Sequence, residues 1–217
     1  MKLQVAIDRV DVDRAAALTG AVAGIADIVE VGTSLTKEFG LRSLQPILDA
    51  AGETDVLADI KTCDEGKYEF DLGAECGFSY LTVMGSASIG TLEVCARSAR
   101  EHATTMMIDL LECSDARIAS IVDALAEFPE VVYCLHTSID SGATTDPAGQ
   151  VRKFRTAFPS ISRIAVAGGI TVDRIASLEC EGVEIVIMGS AITGADDVAA
   201  ACVECKQTMD ANRKDTK

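Results

Sequence analysis

Asp55-Val56-Leu57-Ala58-Asp59-Ile60-Lys61-Thr62-Cys63-Asp64 begins as an apolar run and ends in charge. Asp55 to Ala58 reads as a short buried strand, so the charges that follow stand where a strand meets solvent. Side chains alternate faces along a strand, which turns Asp59 and Lys61 one way and Ile60 the other, with Asp64 in the next loop or helix. A local ion pair closing the strand end is the plain alternative, and such pairs are weak. Repetition of the pattern along the chain decides between the two.

The pattern does repeat. Leu3 to Asp8 reads as a strand, followed by a helix from Arg14 to Gly24 with Asp13 as its cap. Asp27 to Val31 is the second strand, and Gly32-Thr33 turns the chain toward a helix over about Lys37 to Ala51. After the quoted strand come a helix from Glu65 to Cys76, stopped by Gly77, then a strand from Ser79 to Met84 and a helix from Ile89 to Glu101. Thr105 to Asp109 is strand five, and Ser114 or Asp115 caps a helix to Phe128. Val131 to Leu135 is strand six, ending at His136, and the polar segment Thr137 to Gly149 leads into a helix from Ala148 to Phe158. Strand seven, Ile161 to Val166, runs into Gly168-Gly169, with the next helix opening at Thr171 or Val172. Strand eight, Glu184 to Met188, meets Gly189-Ser190, and a last helix starts near Asp196.

These are eight strand-helix units spaced by roughly 25 residues, with no Pro/Ser-rich linker between them, the count that closes a barrel. The expected fold is α/β, a (β/α)8 TIM barrel, in one domain over 1–211 with a charged tail over 212–217. A doubly wound open sheet is the competing architecture, but no GxGxxG follows the first strand.

Composition narrows the function. The 217 residues carry a net charge of -15, which opposes nucleic acid and anionic membrane surfaces. An anionic small substrate therefore needs a locally positive or amide-lined pocket. The eight cysteines lack zinc-type spacing, and Cys202 with Cys205 suits one face of a helix. No run approaches ~18 apolar residues. A reducing cytoplasm is the expected compartment.

In a barrel of this kind the active site lies at the C-terminal strand ends. Those ends carry Asp8, Glu30, Asp59 with Lys61, Asp109 with Glu112 just beyond, and His136. So many carboxylates stay together only if a metal, Lys61 or a substrate balances them. Glu30 and Asp59 offer the all-oxygen ligation that suits a hard ion such as Mg2+. Lys61 is expected to stay protonated beside Asp59 and Asp64. His136 is the histidine at a strand end, and imidazole is the side chain suited to moving protons near neutral pH; His102 reads as a surface residue. Gly168-Gly169 and Gly189-Ser190 follow strands seven and eight, where barrels hold a phosphate on backbone amides. A cation and an ammonium over a sugar phosphate are tools for an enediolate, shared by aldol addition and by decarboxylation of β-keto acids.

Asp59-x-Lys61-x-x-Asp64, together with Asp8, Val29-Glu30-Val31-Gly32-Thr33, Asp109-x-x-Glu112, His136-Thr137, Ala165 to Ile170 and Gly189 to Thr193, resembles the orotidine 5'-monophosphate decarboxylase suprafamily. Within it the chain is most similar to the branch holding 3-hexulose-6-phosphate synthase and 3-keto-L-gulonate-6-phosphate decarboxylase. The resemblance implies that Glu30 and Asp59 bind Mg2+, Asp8 touches substrate and Lys61 stabilises an enediolate. It also implies a homodimer in which Asp64 reaches the neighbouring site, so that Lys61, Asp64, His136, Glu112 and Asp109 form the catalytic set. Decarboxylases of that branch carry arginines where this chain has Ile139 and Ser190, which favours the aldol reaction of D-ribulose 5-phosphate, a phosphorylated ketose, with formaldehyde. Ser138 stands where synthases have glycine, a departure that bears on substrate preference. A decarboxylase and a non-catalytic sugar-phosphate binder are the alternatives.

Overall fold

Eight short Val/Ile/Leu-rich runs pair side by side in parallel, the arrangement expected of strands buried on both faces. They are β1 (Lys2–Ile7), β2 (Ile28–Val31), β3 (Asp55–Thr62), β4 (Tyr80–Met84), β5 (Thr105–Asp109), β6 (Val132–His136), β7 (Ile164–Ala167) and β8 (Ile185–Met188). Each pairs with the next, and β8 returns to β1, so the sheet closes into the expected (β/α)8 barrel. The computed structural model describes residues 1–138, 140 and 146–215.

Alternation along the strands separates two cores. Val29, Ala58, Leu81, Ile108, Leu135, Val166 and Val186 face outward into the layer shared with the helices. Ile28, Leu57, Tyr80, Met107, Cys134, Ala165 and Ile185 face inward and fill the barrel. One pleat further on, the inward positions become Glu30, Asp59, Thr82, Asp109, His136 and Ala167. An apolar plug thus lies beneath a polar layer at the C-terminal end.

The helical layer comprises α1 (Val12–Val22), α2 (Thr33–Phe39), α3 (Gln45–Ala51), α4 (Gly66–Glu75), α5 (Ile89–Glu101), α6 (Asp115–Ala124), α7 (Pro147–Ala157), α8 (Ile175–Cys180), α9 (Ser190–Thr193) and α10 (Val198–Asp215). Several bounds differ from the sequence reading. Asp11, not Asp13, caps α1, its carboxylate accepting from the Arg14 N–H at 2.7 Å. The single helix expected from Lys37 to Ala51 is two helices joined by a 3-10 turn, because Gly40 takes a φ of 73° and a proline opens α3. β3 continues through the charged residues to Thr62, with a register irregularity against β4 between Ala58 and Thr62. β7 starts at Ile164 rather than Ile161, and α6 ends at Ala124, short of Phe128. α10 runs to Asp215, past the start expected for the tail; residues 216–217 lie outside the described residues.

Cys202 and Cys205 pack in the outer core, as their spacing predicts. Among the described residues no helix is long and apolar enough to cross a membrane.

Candidate active site

The polar layer opens into a cavity of about 610 Å³ lined by residues from β1 to β8 and their following loops. Its centre is a continuous chain of charge. Lys61 Nζ lies 3.0 Å from Asp59 Oδ2 and 2.6 Å from Asp109 Oδ2, and His136 Nδ1 lies 2.9 Å from the same Asp109 oxygen. Asp59 and Lys61 do share a face, while Ile60 packs outward. The ion pair at the strand end is therefore real, but it belongs to a network that crosses from β3 to β6.

Burial works against the Lys61 ammonium, but the charges of Asp59 and Asp109 outweigh it and raise the lysine above its usual range. The second carboxylate is Asp109, not the expected Asp64. Burial would likewise lift Asp109, but the hydrogen bond and charge of His136, then Lys61, bring it down to about 2. Its other oxygen accepts from the Leu111 N–H at 2.9 Å. Glu30 behaves in the opposite sense: burial first, and the charge of Asp59 second, push it up to about 8. Burial also lifts Cys134 well above the usual thiol range, so this cavity residue is a neutral thiol at physiological pH.

Neutral residues hold the charged ones in place. Thr82 Oγ1 donates to Asp59 Oδ1 at 2.7 Å and accepts from the Lys61 N–H at 2.9 Å. That second bond supports the left-handed backbone of Lys61, at φ 49°. Thr33 Oγ1 donates to Asp59 Oδ2. Gln4, fully buried, donates from Nε2 to Glu30 Oε2 at 2.6 Å. Asp8 accepts from Ser34 Oγ at 2.7 Å and from the Ser34 N–H at 3.2 Å, over Gly32, where any Cβ would strike its carboxylate. Gln4, Thr33, Ser34 and Thr82 escape a search for ionisable strand ends. The available signal is a polar residue inside an apolar run, as in Leu3-Gln4-Val5 and Leu81-Thr82-Val83.

Of the predicted site residues, Asp8, Glu30, Asp59, Lys61, Asp109, His136, Gly168, Gly169, Gly189 and Ser190 all line the cavity. Two do not. Glu112 lies on the next cavity, about 270 Å³ between β5, β6, α6 and α7, whose wall it shares with His136. A φ of 56° turns the chain there, carrying Glu112 past the rim. Asp64 is exposed on the loop after β3 and lines neither cavity. Ile139 lies outside the described residues. His102 is at the surface, with Nε2 3.2 Å from Asp71.

Gly168 backs directly onto the Thr137 backbone, and at φ 100° it takes a conformation that side chains rarely adopt. Gly169 follows at φ 64° with open space around its Cα. These turns bring Gly168 to Thr171 and Gly189 to Ala191 into the wall of the same cavity.

A closed parallel barrel with a lysine, carboxylates and a histidine converging at its C-terminal strand ends defines an enzyme of the (β/α)8 class. Residues 1–205 match the model of the OMPdecase family, described as orotidine 5'-phosphate decarboxylase / HUMPS, and the chain belongs to that family. It is 36% identical to 3-hexulose-6-phosphate synthase of Mycobacterium gastri, with 96% of this chain and 100% of that protein covered. It is 32% identical to 3-hexulose-6-phosphate synthase 2 of Staphylococcus saprophyticus, covering 99% and 100%. A crystal structure of 3-hexulose-6-phosphate synthase superposes with a TM-score of 0.86 at 33% identity over 96% of this chain and 100% of that one. The protein is thus 3-hexulose-6-phosphate-synthase-like, a carbon–carbon lyase.

Proposed function

We propose that the protein condenses D-ribulose 5-phosphate with formaldehyde in an aldol addition. The observation that carries this reading is the Asp59–Lys61–Asp109–His136 chain facing one cavity. Because His136 Nδ1 faces Asp109, a proton there leaves the Nε2 lone pair free to act as a base. His136 takes a proton from C1 of the ketose, and the ammonium of Lys61 stabilises the negative charge that develops on the enediolate oxygens. C1 then attacks the formaldehyde carbon, and the new alkoxide takes a proton from the His136 imidazolium, which restores the neutral base. Asp109 holds the imidazole in orientation, and Asp59 with Thr82 fixes the lysine.

A divalent cation, Mg2+ in our reading, suits this site. Glu30 and Asp59 are neighbouring buried carboxylates, and burial together with the charge of Asp59 drives Glu30 toward protonation, a cost that a bound cation would relieve. The Gln4 side-chain Oε1 beside them is buried and, among the described residues, accepts no hydrogen bond. Glu30 and Asp59 are the residues that would hold the ion. When bound, the ion would supply further positive charge against developing oxyanions.

We also read the chain as a single barrel domain over 1–211 in a reducing cytoplasm, for which eight unpaired cysteines are support. It acts as a homodimer with Asp64 reaching across: Asp64 stands outside its own cavity, and the nearby Tyr68 is 66% exposed.

Incubation with D-ribulose 5-phosphate, formaldehyde and Mg2+ tests the reaction. Mg2+-dependent consumption of formaldehyde is expected, and Lys61→Ala should lower kcat about 10³-fold or more. No formaldehyde loss from folded protein, or carbon dioxide release from 3-keto-L-gulonate 6-phosphate in its place, overturns the assignment.

A further inference from the structure

We propose that Arg9 is the cationic contact for the phosphate of the ligand, a specificity-determining residue that selects a small sugar phosphate over its unphosphorylated form. The proposal rests on the sugar-phosphate reading above and deepens it. Four carboxylates line the cavity, from Asp8, Glu30, Asp59 and Asp109, in a chain of net charge -15. A phosphate dianion entering this field needs a cation that is not already engaged. The lysine and arginine residues lining the cavity are Lys61 and Arg9, and Lys61 is held between Asp59 and Asp109.

Arg9 is exposed, and among the described residues its guanidinium has no ion pair or hydrogen bond. Its sequence neighbour Asp8 would be the obvious partner, but that carboxylate is held by Ser34. Ser34 also accepts from the Arg9 N–H at 2.7 Å, which pins Arg9 at φ 57°, a left-handed conformation unfavourable for a residue with a Cβ. The loop is therefore built to hold Arg9 in one place while leaving its side chain uncommitted. That place is next to the glycine wall. β1 pairs with β8 up to Val5 and Met188, so the chain leaving β1 runs beside Gly189, Ser190 and Ala191. Ser190 adds no charge there, and a guanidinium can meet a phosphate with two parallel N–H donors.

Calorimetric titration of D-ribulose 5-phosphate and of inorganic phosphate into the full chain, with steady-state kinetics alongside, tests the assignment. Arg9→Ala should weaken binding of D-ribulose 5-phosphate about 10- to 100-fold and raise KM to match, with kcat within about threefold. Arg9→Gly suits the left-handed backbone and should show the same loss, which separates it from misfolding. Arg9→Lys should recover part of the affinity. Arg14→Ala, an equal change in net charge away from the cavity, should change nothing. Wild-type affinity and KM in both Arg9→Ala and Arg9→Gly overturn the role of Arg9 and leave the aldolase reading intact. Arg9-dependent binding without turnover overturns the aldolase reading and leaves Arg9 in place. Failure of the wild type to bind either probe overturns both.

Discussion

Asp109 shows how a single residue is set by its neighbours. As the last residue of β5 it reads from sequence as one more strand-end carboxylate, yet the fold makes it the shared acceptor for Lys61 and His136. Its depression from 3.8 to about 2 has a consequence for stability. A carboxylate with a lowered folded pKa contributes stability that is present above its unfolded pKa and lost as pH falls through the folded value. For Asp109 the window runs from about pH 4 down to pH 2, and the contribution is on the order of 2 kcal/mol. Urea unfolding at pH 5 and pH 2 should therefore show the wild type losing about that much relative to Asp109→Asn. Equal pH slopes in the two proteins would show that Asp109 is not held as described. Asp59, Lys61 and His136 were legible as candidates for the cavity they line because charge at the end of an apolar run is conspicuous. Thr82 and Gln4 were not, since a neutral polar residue in such a run has no evident purpose until the barrel brings a carboxylate against it. The second partner of Lys61 was misread for the same reason: Asp64 is near in sequence, but Asp109 is near in space.

At the scale of the element, strands were easier to place than helices. A barrel strand is a short apolar run with the pleat as its period, so the main shifts were the extension of β3 to Thr62 and the late start of β7. Helix bounds depend on caps, and Asp13, the cap expected for α1, lies two residues past Asp11, whose carboxylate the folded backbone meets. The loop after β7 carries a sharper requirement. Gly168 combines a φ of 100° with direct contact on the Thr137 backbone, next to His136, whereas Gly169 at φ 64° has free space. Gly168→Ala should thus destabilise by about 3 kcal/mol and disturb turnover through Thr137, while Gly169→Ala should cost about 1 kcal/mol. Chemical denaturation of the two variants makes the comparison, and equal stabilities would refute the close-packing account.

For the molecule as a whole, the proposed homodimer carries a direct prediction. Asp64 stands outside its own cavity, so if it takes part in the reaction it must do so from another copy of the chain. Mixing inactive Lys61→Ala and Asp64→Ala proteins after partial unfolding should then restore about a quarter of wild-type activity, from the hybrid sites of heterodimers. Heterodimers verified by mass that stay inactive would remove Asp64 from the partner's site. Sequence by itself determined the barrel, because eight apolar runs at even spacing with no linker have few ways to bury both faces of every strand. It also determined the chemical types at the strand ends, among them the stretch from Asp59 to Asp64. Only the tertiary structure decided which of those groups meet. Barrel closure sets the register between β3, β5 and β6, and that register places Lys61 between two carboxylates and His136 against one of them. It likewise leaves Glu112 and Asp64 outside, since a one-residue left-handed turn or a loop changes direction without leaving a mark in the hydrophobic pattern.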